Sequence, residues 1–129
     1  ADGTIDCVAT DHAPHAVSEK EGEFDRAPFG VIGLETAVPV LLDRLVRPGL
    51  LPLATLVARL STDPARVFNL PGGRLTPGAP GDVTILDLER ELVIDPARFF
   101  SKSRNTPFAG WCVRGAVAAT IVGGRVVYP

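Results

Sequence analysis

The sequence contains no methionine and only two cysteines, Cys7 and Cys112. A disulfide framework is therefore not expected, and a reducing, cytoplasmic compartment fits this cysteine usage. Both cysteines fall in strand-like runs and are predicted to be inert buried thiols. No basic start followed by an apolar run is visible, so the sequence shows no secretory signal. The missing methionine is one of two features that lead us to expect an incomplete chain.

An excess of basic residues is also missing. The 129 residues include 13 lysines and arginines against 15 aspartates and glutamates, which gives a formal net charge of -2. A protein that binds nucleic acid mainly through phosphates needs a basic surface, and none is indicated here. The longest apolar runs, such as Val38 to Leu42, are too short for a bilayer, which takes roughly 20 apolar residues. Neither nucleic acid nor membrane is therefore an expected partner.

What is present fits a globular protein. Apolar residues make up 46% and charged residues 22% of the chain, whereas a disordered chain would have fewer apolar residues and a larger net charge. The pattern predicts helices at about 34–46, 53–60 and from Asp63, with Pro39 kinking the first or confining its regular part to later residues. Asp63 is the predicted N-cap of the last helix.

The second half of the chain predicts β structure. Strands are expected at 82–87 and 91–94, and two β-rich runs flank Gly123-Gly124 as in a hairpin. The chain thus divides into an αβ segment, 1–72, and a β-rich segment, 73–129. At the start, Thr4 to Asp11 has the apolar centre of a strand covered on both faces. Such a strand needs neighbours that this chain does not offer, which is the second indication of an incomplete chain.

The sharpest chemical feature is Thr10-Asp11-His12-Ala13-Pro14-His15, which holds the only two histidines of the chain. It directly follows the predicted buried strand, and active sites of barrel and open α/β folds lie at such strand ends. A carboxylate there can bind a metal or move a proton, and an imidazole can bind substrate or metal. Pro14 argues against a helix, so a loop should turn Asp11 and His15 toward one pocket.

A structural role accounts for the same residues equally simply. Two neighbouring histidines in a loop are often surface residues, and an aspartate at the end of a strand is often a turn or cap residue. The charge-dense stretch from His12 to about Pro28 can likewise be a solvated surface loop. Its length and its position after the predicted strand favour a functional loop.

Five stretches of the sequence resemble the dihydroorotase family of amidohydrolases, in its bacterial long-chain class. They occur in the family's order and together extend over nearly the whole chain: 10–15, 27–35, 73–87, 101–108 and 120–128. The fold that this resemblance implies is α/β. It consists of the last β/α segment of a (β/α)8 metal-dependent hydrolase barrel at 1–72, followed at 73–129 by part of a small β-sandwich domain.

The resemblance also implies a reaction and residue roles. The family interconverts (S)-dihydroorotate and N-carbamoyl-L-aspartate in pyrimidine biosynthesis. By position in the motif, Asp11 is the expected zinc ligand and general base. His15, Phe29 and Gly30 are the expected substrate-binding residues, the last two through their backbone.

The family's metal site is incomplete in this sequence. One or two zinc ions are expected in the family, and the remaining ligands, including a His-x-His pair, would lie upstream of this chain. One aspartate cannot hold zinc by itself. We therefore expect the carboxyl-terminal fragment of a dihydroorotase, inactive in isolation, whose exposed apolar surface favours aggregation. Besides the small-molecule substrate, the candidate partners are aspartate carbamoyltransferase and a second copy.

Three alternatives stay open at this stage. The protein could be another cyclic amidase, such as an allantoinase or a hydantoinase, although His15 is more typical of dihydroorotases. It could be a non-catalytic dihydroorotase-like subunit that supports aspartate carbamoyltransferase. It could also be a small independent β-rich binding module, against which the predicted orphan strand counts.

Overall fold

A computed structural model describes residues 2–128, so the end residues Ala1 and Pro129 of the two predicted segments lie outside it. Helices come first in the chain and strands last. The helices are α1 (Val17–Lys20), α2 (Ala37–Leu41), α3 (Leu53–Val57) and α4 (Asp63–Val67). The strands are β1 (Val83–Val93), β2 (Cys112–Val122) and β3 (Arg125–Tyr128). Wider π-helical turns follow α2 at Leu42–Val46 and α3 at Ala58–Thr62, and a 3₁₀ turn spans Pro96–Arg98.

Of the two effects predicted for Pro39, confinement of the regular helix to later residues is wrong. The regular α-helical part contains this proline instead of following it, and the proline is buried. Pro39 is the third residue of α2, within the first turn, where proline is tolerated best. The Ala37 N–H donates to the Gly33 carbonyl at 2.9 Å and the Val40 N–H to the Thr36 carbonyl at 3.0 Å, so helical bonds form on both sides of the proline.

Asp63 begins α4 without acting as the predicted N-cap. Its carboxylate is buried and accepts hydrogen bonds from the guanidinium groups of Arg59 at 2.7 Å and Arg66 at 3.1 Å. The π-helical turn before α4 runs directly into it, and Thr62 at the cap position makes no side-chain cap bond. The carboxylate is thus used to join two turns of helix by charge-assisted hydrogen bonds.

The two strands predicted at 82–87 and 91–94 form one strand, β1. It pairs antiparallel with β2, and the register shifts between Asp87 and Glu91. Within this bulge the Asp87 carboxylate accepts hydrogen bonds from the backbone N–H groups of Glu89 and Arg90, both at 3.0 Å. The bulge satisfies its own backbone donors, so the strand continues through it instead of ending.

The hairpin predicted around Gly123-Gly124 is confirmed, since these glycines join β2 to β3. Both have a positive φ, 55° and 76°, as a two-residue hairpin turn of the favoured twist requires. The Asp82 carboxylate accepts a hydrogen bond from the Gly123 N–H at 2.7 Å. The sheet order is therefore β1-β2-β3, antiparallel throughout.

Helix α2 and the turn after it pack on strand β2. A Cβ placed on Gly115 would lie 2.8 Å from the Leu42 Cβ, so the absent side chain permits this close approach. Next to this contact, the Asp43 carboxylate accepts a hydrogen bond from the backbone N–H of Arg114 at 3.0 Å. Besides Pro39, the buried apolar side chains of the described residues include Ile32, Leu42, Leu56, Ile94, Val113 and Ala116.

The predicted buried strand from Thr4 to Asp11 is wrong. These residues form no strand, and Ile5 is 69% exposed. The segment is held at one point, where the Val8 N–H donates to the Arg59 carbonyl at 3.0 Å. A strand forms only where another strand accepts its hydrogen bonds, and the described strands all lie in the sheet between Val83 and Tyr128.

Within residues 2–128, no helix is both long and apolar enough to cross a membrane. Cys7 and Cys112 are free thiols. The prediction that both are buried is wrong, because Cys7 is half-buried and Cys112 is exposed. Cys112 is the first residue of β2 and pairs at the very end of the sheet, where fewer neighbours cover it.

Candidate active site

His12 ties the histidine motif to the segment that precedes α2. Its Nδ1 atom accepts hydrogen bonds from the backbone N–H groups of Gly33 at 3.1 Å and Leu34 at 3.4 Å. The backbone adds a further bond, from the Ala13 N–H to the Val31 carbonyl at 3.0 Å. An Nδ1 atom that accepts carries no hydrogen, so the neutral ring is protonated on Nε2. The two segments predicted to form the site therefore lie side by side.

His15 holds the same neighbouring segment from its other end. Its Nε2 atom lies 2.9 Å from the Phe29 carbonyl oxygen, which can only accept, so Nε2 is the donor. Its Nδ1 atom lies 3.7 Å from the carboxylate of Glu19, which is four residues later in the chain, within α1. That carboxylate also accepts a hydrogen bond from the Ala16 N–H at 2.8 Å. Both ring nitrogens of His15 thus face groups of the chain itself.

Asp11 is exposed and has an unusual backbone conformation. Its φ is 44°, in the left-handed region that few residues other than glycine adopt. Aspartate tolerates this region better than most residues. Among residues 2–128 the Asp11 carboxylate has no hydrogen-bond or ion-pair partner, in contrast to Asp63. The arrangement presents a free carboxylate that can accept a proton or bind a ligand.

Phe29 and Gly30 form the tip of the segment that faces the histidines. The Phe29 side chain is 95% exposed, so only its backbone takes part in the packing. Gly30 has a φ of 98°, and a Cβ there would lie 2.5 Å from the Ala13 Cβ. The two segments can approach this closely only because residue 30 is a glycine.

Side chains of the polar stretch at 101–106 donate hydrogen bonds to both the histidine motif and the segment at Phe29–Gly30. The buried Ser103 hydroxyl donates to the carbonyl of His15 at 2.8 Å. The Asn105 amide nitrogen donates to the carbonyls of Ala13 at 2.9 Å and Gly30 at 3.3 Å. Three segments that are far apart in the sequence are thereby joined into one site.

Glu35 holds the beginning of that polar stretch. The helix predicted from about residue 34 begins at Ala37, so Glu35 lies before it. The Glu35 carboxylate accepts hydrogen bonds from the N–H groups of Phe100 at 2.8 Å and Ser101 at 3.0 Å. A charged acceptor with two backbone donors is a strong local tie.

Sequence reasoning missed three residues of this site: Lys20, Ser103 and Asn105. The stretch containing Ser103 and Asn105 was marked as family-like, but their partners are carbonyl groups, which leave no trace in the sequence. Lys20 was given no role of its own within the charge-dense stretch from His12 to about Pro28. Its ammonium group instead lies 2.6 Å from the Pro28 carbonyl and 2.8 Å from the Gly30 carbonyl.

Residues 2–128 contain no group of three or more His, Cys, Asp or Glu side chains that could hold a metal ion. Asp11 offers one carboxylate, while His12 Nδ1 accepts backbone N–H groups and His15 Nε2 bonds the Phe29 carbonyl. A cavity of about 460 Å³ lies elsewhere, between α2 and the sheet. Its lining is largely apolar and includes none of the predicted site residues.

Replacing Asn105 with aspartate should weaken the site selectively. Two carbonyl oxygens face the Asn105 amide nitrogen, so the isosteric carboxylate would place a third acceptor against them. Losing these two bonds should lower the free energy of unfolding by about 1–3 kcal/mol. Denaturant unfolding of the complete gene product measures this, with Asn69→Asp as the control because Asn69 is an exposed residue at the end of α4. Equal stability of the two variants would contradict the assignment.

Comparison with known proteins identifies the class. A sequence model of the amidohydrolase family matches residues 23–128. The chain belongs to the amidohydrolase family. It is 58% identical over 127 residues to a dihydroorotase of Halalkalibacterium halodurans and 55% identical to one of Brevibacillus brevis, covering 98% of this chain in each case.

Solved structures agree on the fold. An L-hydantoinase from Arthrobacter aurescens superposes with a TM-score of 0.92 at 36% identity, and a dihydropyrimidinase from Brevibacillus agri with a TM-score of 0.91 at 26% identity. Each match covers 98% of this chain and 29% of the solved chain. The chain therefore has the fold of the corresponding part of these proteins. It spans about 30% of the length of the dihydroorotases named above.

Proposed function

We propose that this chain is the carboxyl-terminal part of a dihydroorotase. The complete enzyme would interconvert (S)-dihydroorotate and N-carbamoyl-L-aspartate in the cytoplasm. The observation that carries the proposal is the joining of Asp11–His15 to Phe29–Gly30 by direct hydrogen bonds between the two segments. Identity of 58% to a dihydroorotase, against 36% to a hydantoinase, supports this substrate over a hydantoin.

We also propose how the chain divides. Residues 1–72 would form the end of a (β/α)8 barrel, and residues 73–129 part of a small β-sandwich domain. In support, all four described α-helices end by Val67, and the described strands all begin after Gly81. The bulged antiparallel sheet is unlike the parallel strands of a barrel.

The proposed catalytic role belongs to Asp11. Its carboxylate is exposed and unpartnered within the described chain, so it can take a proton from attacking water and return it to the leaving ring nitrogen. Phe29 and Gly30 would bind the substrate through backbone groups, since the Phe29 side chain points into solvent. His15 would bind substrate at the edge of the same loop by exchanging its bond to the Phe29 carbonyl for one to the substrate.

Zinc belongs to the proposal for the complete protein only. The described residues do not fit a metal centre, because no group of three or more ligand-type side chains is present in 2–128. If zinc is bound, Asp11 can contribute one oxygen ligand, and the other ligands must come from outside this chain.

The test is an activity assay of the purified product of the complete reading frame, with and without added Zn²⁺. We expect hydrolysis of dihydroorotate to carbamoyl aspartate, with hydantoin and dihydrouracil turned over at least about 100-fold less efficiently, a discrimination typical of polar-group recognition. Faster turnover of hydantoin would assign the protein to the hydantoinases. No turnover of any of the three, with or without Zn²⁺, would favour the non-catalytic subunit. Sedimentation with and without aspartate carbamoyltransferase would then separate that partner from a homodimer.

A further inference from the structure

Three consecutive carbonyl groups, those of Pro28, Phe29 and Gly30, are all held by side chains. Lys20 donates to the first at 2.6 Å and to the third at 2.8 Å. His15 donates to the second at 2.9 Å. The third also accepts from the Asn105 amide at 3.3 Å. Every carbonyl at the tip of this loop therefore points toward the body of the chain.

The N–H groups of the same peptide units have no such partners. In residues 2–128, the backbone N–H groups of Phe29, Gly30 and Val31 donate to no acceptor. Each is the opposite end of a peptide group whose carbonyl is held. Hydrogen bonds polarise one another along a chain, so a carbonyl bound to a cation makes its own N–H a stronger donor. The loop presents three free donors side by side.

Lys20 is placed to control this loop. It is the last residue of α1 and is half-buried. Within the described residues it forms no ion pair, although acidic residues are frequent in this stretch. Its positive charge is therefore not neutralised by a carboxylate and is directed at the loop carbonyls. The only other lysine, Lys102, is exposed and makes no hydrogen bond in the same part of the chain.

We propose that Lys20 is a positioning residue that fixes the carbonyls of Pro28 and Gly30, so that the N–H groups of residues 29–31 face the substrate. The ligand group they fit is an acceptor oxygen of an amide or a carboxylate. This inference rests on the proposed function for the identity of the substrate. The holding of the loop itself does not depend on that identity.

The test compares Lys20→Met, Lys20→Arg and the control Lys102→Met in the complete gene product. Methionine keeps the length of the side chain and removes its charge and donors. For Lys20→Met we expect KM for dihydroorotate to rise about tenfold or more, with kcat changed much less, because ground-state binding is weakened. Lys20→Arg should restore most of the affinity, since a guanidinium can donate to both carbonyls.

Deuterium uptake of peptides containing Ala13, Ile32 and Gly33 provides a second readout that needs no substrate. The N–H groups of these residues bond across the loop, to Val31, Asn105 and His12 respectively. Uptake should increase in Lys20→Met and stay at the wild-type level in Lys102→Met. Unchanged uptake and unchanged KM in Lys20→Met would overturn the proposal. A fall in kcat as large as the rise in KM, accompanied by global unfolding, would also overturn it, because Lys20 would then stabilise the whole fold instead of the loop.

The two readouts separate this proposal from the proposed function. If the wild-type protein does not turn over dihydroorotate, the proposed function fails. The exchange measurement then still decides whether Lys20 holds the loop.

Discussion

Asp11→Asn should lower kcat for dihydroorotate hydrolysis in the complete gene product by about 10²–10⁴-fold, the usual contribution of a general base. The amide has the shape of the carboxylate but cannot accept the proton. Asparagine also tolerates the left-handed backbone that residue 11 adopts, with its φ of 44°. The fold should therefore be unaffected, and steady-state kinetics with a thermal melt of each protein measures both points.

Asp6→Asn is the matched control for this change. Asp6 lies in the same exposed segment, and within residues 2–128 its carboxylate has no hydrogen-bond partner, while its backbone carbonyl accepts from Arg59 at 3.2 Å. Its kcat should stay within about twofold of wild type, as for a surface substitution remote from the site. A similar kcat in Asp11→Asn would rule out Asp11 as the base.

Gly30→Ala should also lower kcat/KM strongly, because it should displace the two loops of the site relative to each other. The added Cβ would lie 2.5 Å from that of Ala13, a distance at which backbone must move. Since the contact joins the loop carrying Asp11 to the loop of residues 28–31, the two should separate. Displacing reacting groups by about 1 Å can cost about 100-fold in rate, and we expect a loss of at least this size in kcat/KM.

The control for Gly30→Ala separates steric overlap from backbone strain. Gly78 has a similar φ, 83° against 98°, but nothing lies within 4 Å of a Cβ placed there. Gly78→Ala therefore carries only the cost of the left-handed conformation, about 1–2 kcal/mol. It should lower the thermal midpoint while leaving kcat/KM intact. Equal activity of the two variants would show that the close approach at Ala13 is unimportant.

The sequence predicted correctly those parts of the fold that depend on neighbouring residues alone. The hairpin at Gly123-Gly124 follows from two residues that accept positive φ between β-rich runs. The prediction of a strand from Thr4 was wrong. The apolar residues there would form a buried strand only beside neighbouring strands, and the described residues provide none at this place. The break predicted between Asp87 and Glu91 was wrong for a related reason: Asp87 bonds the bulge internally, and the pairing with β2 resumes beyond it.

The candidate site could be predicted only where residues carry recognisable chemistry. Asp11 and His15 are apparent from their motif, and the resemblance supplied Phe29 and Gly30. Ser103 bonds a carbonyl 88 residues away, and any residue type can offer a carbonyl. Sequence periodicity contains no information about such a partner, so the support behind the site became visible only in three dimensions.

The support from Asn105 also sets an order of events during synthesis of the chain. Asn105 bonds the Ala13 carbonyl across 92 residues, so it leaves the ribosome long after the histidine motif. At typical elongation rates this interval is roughly 5–20 s. During it the motif loop and the loop at 28–31 can meet only through their own contacts. The proposed catalytic geometry is thus completed only after residues 103–105 have been made, and a product that ended before residue 103 would lack it.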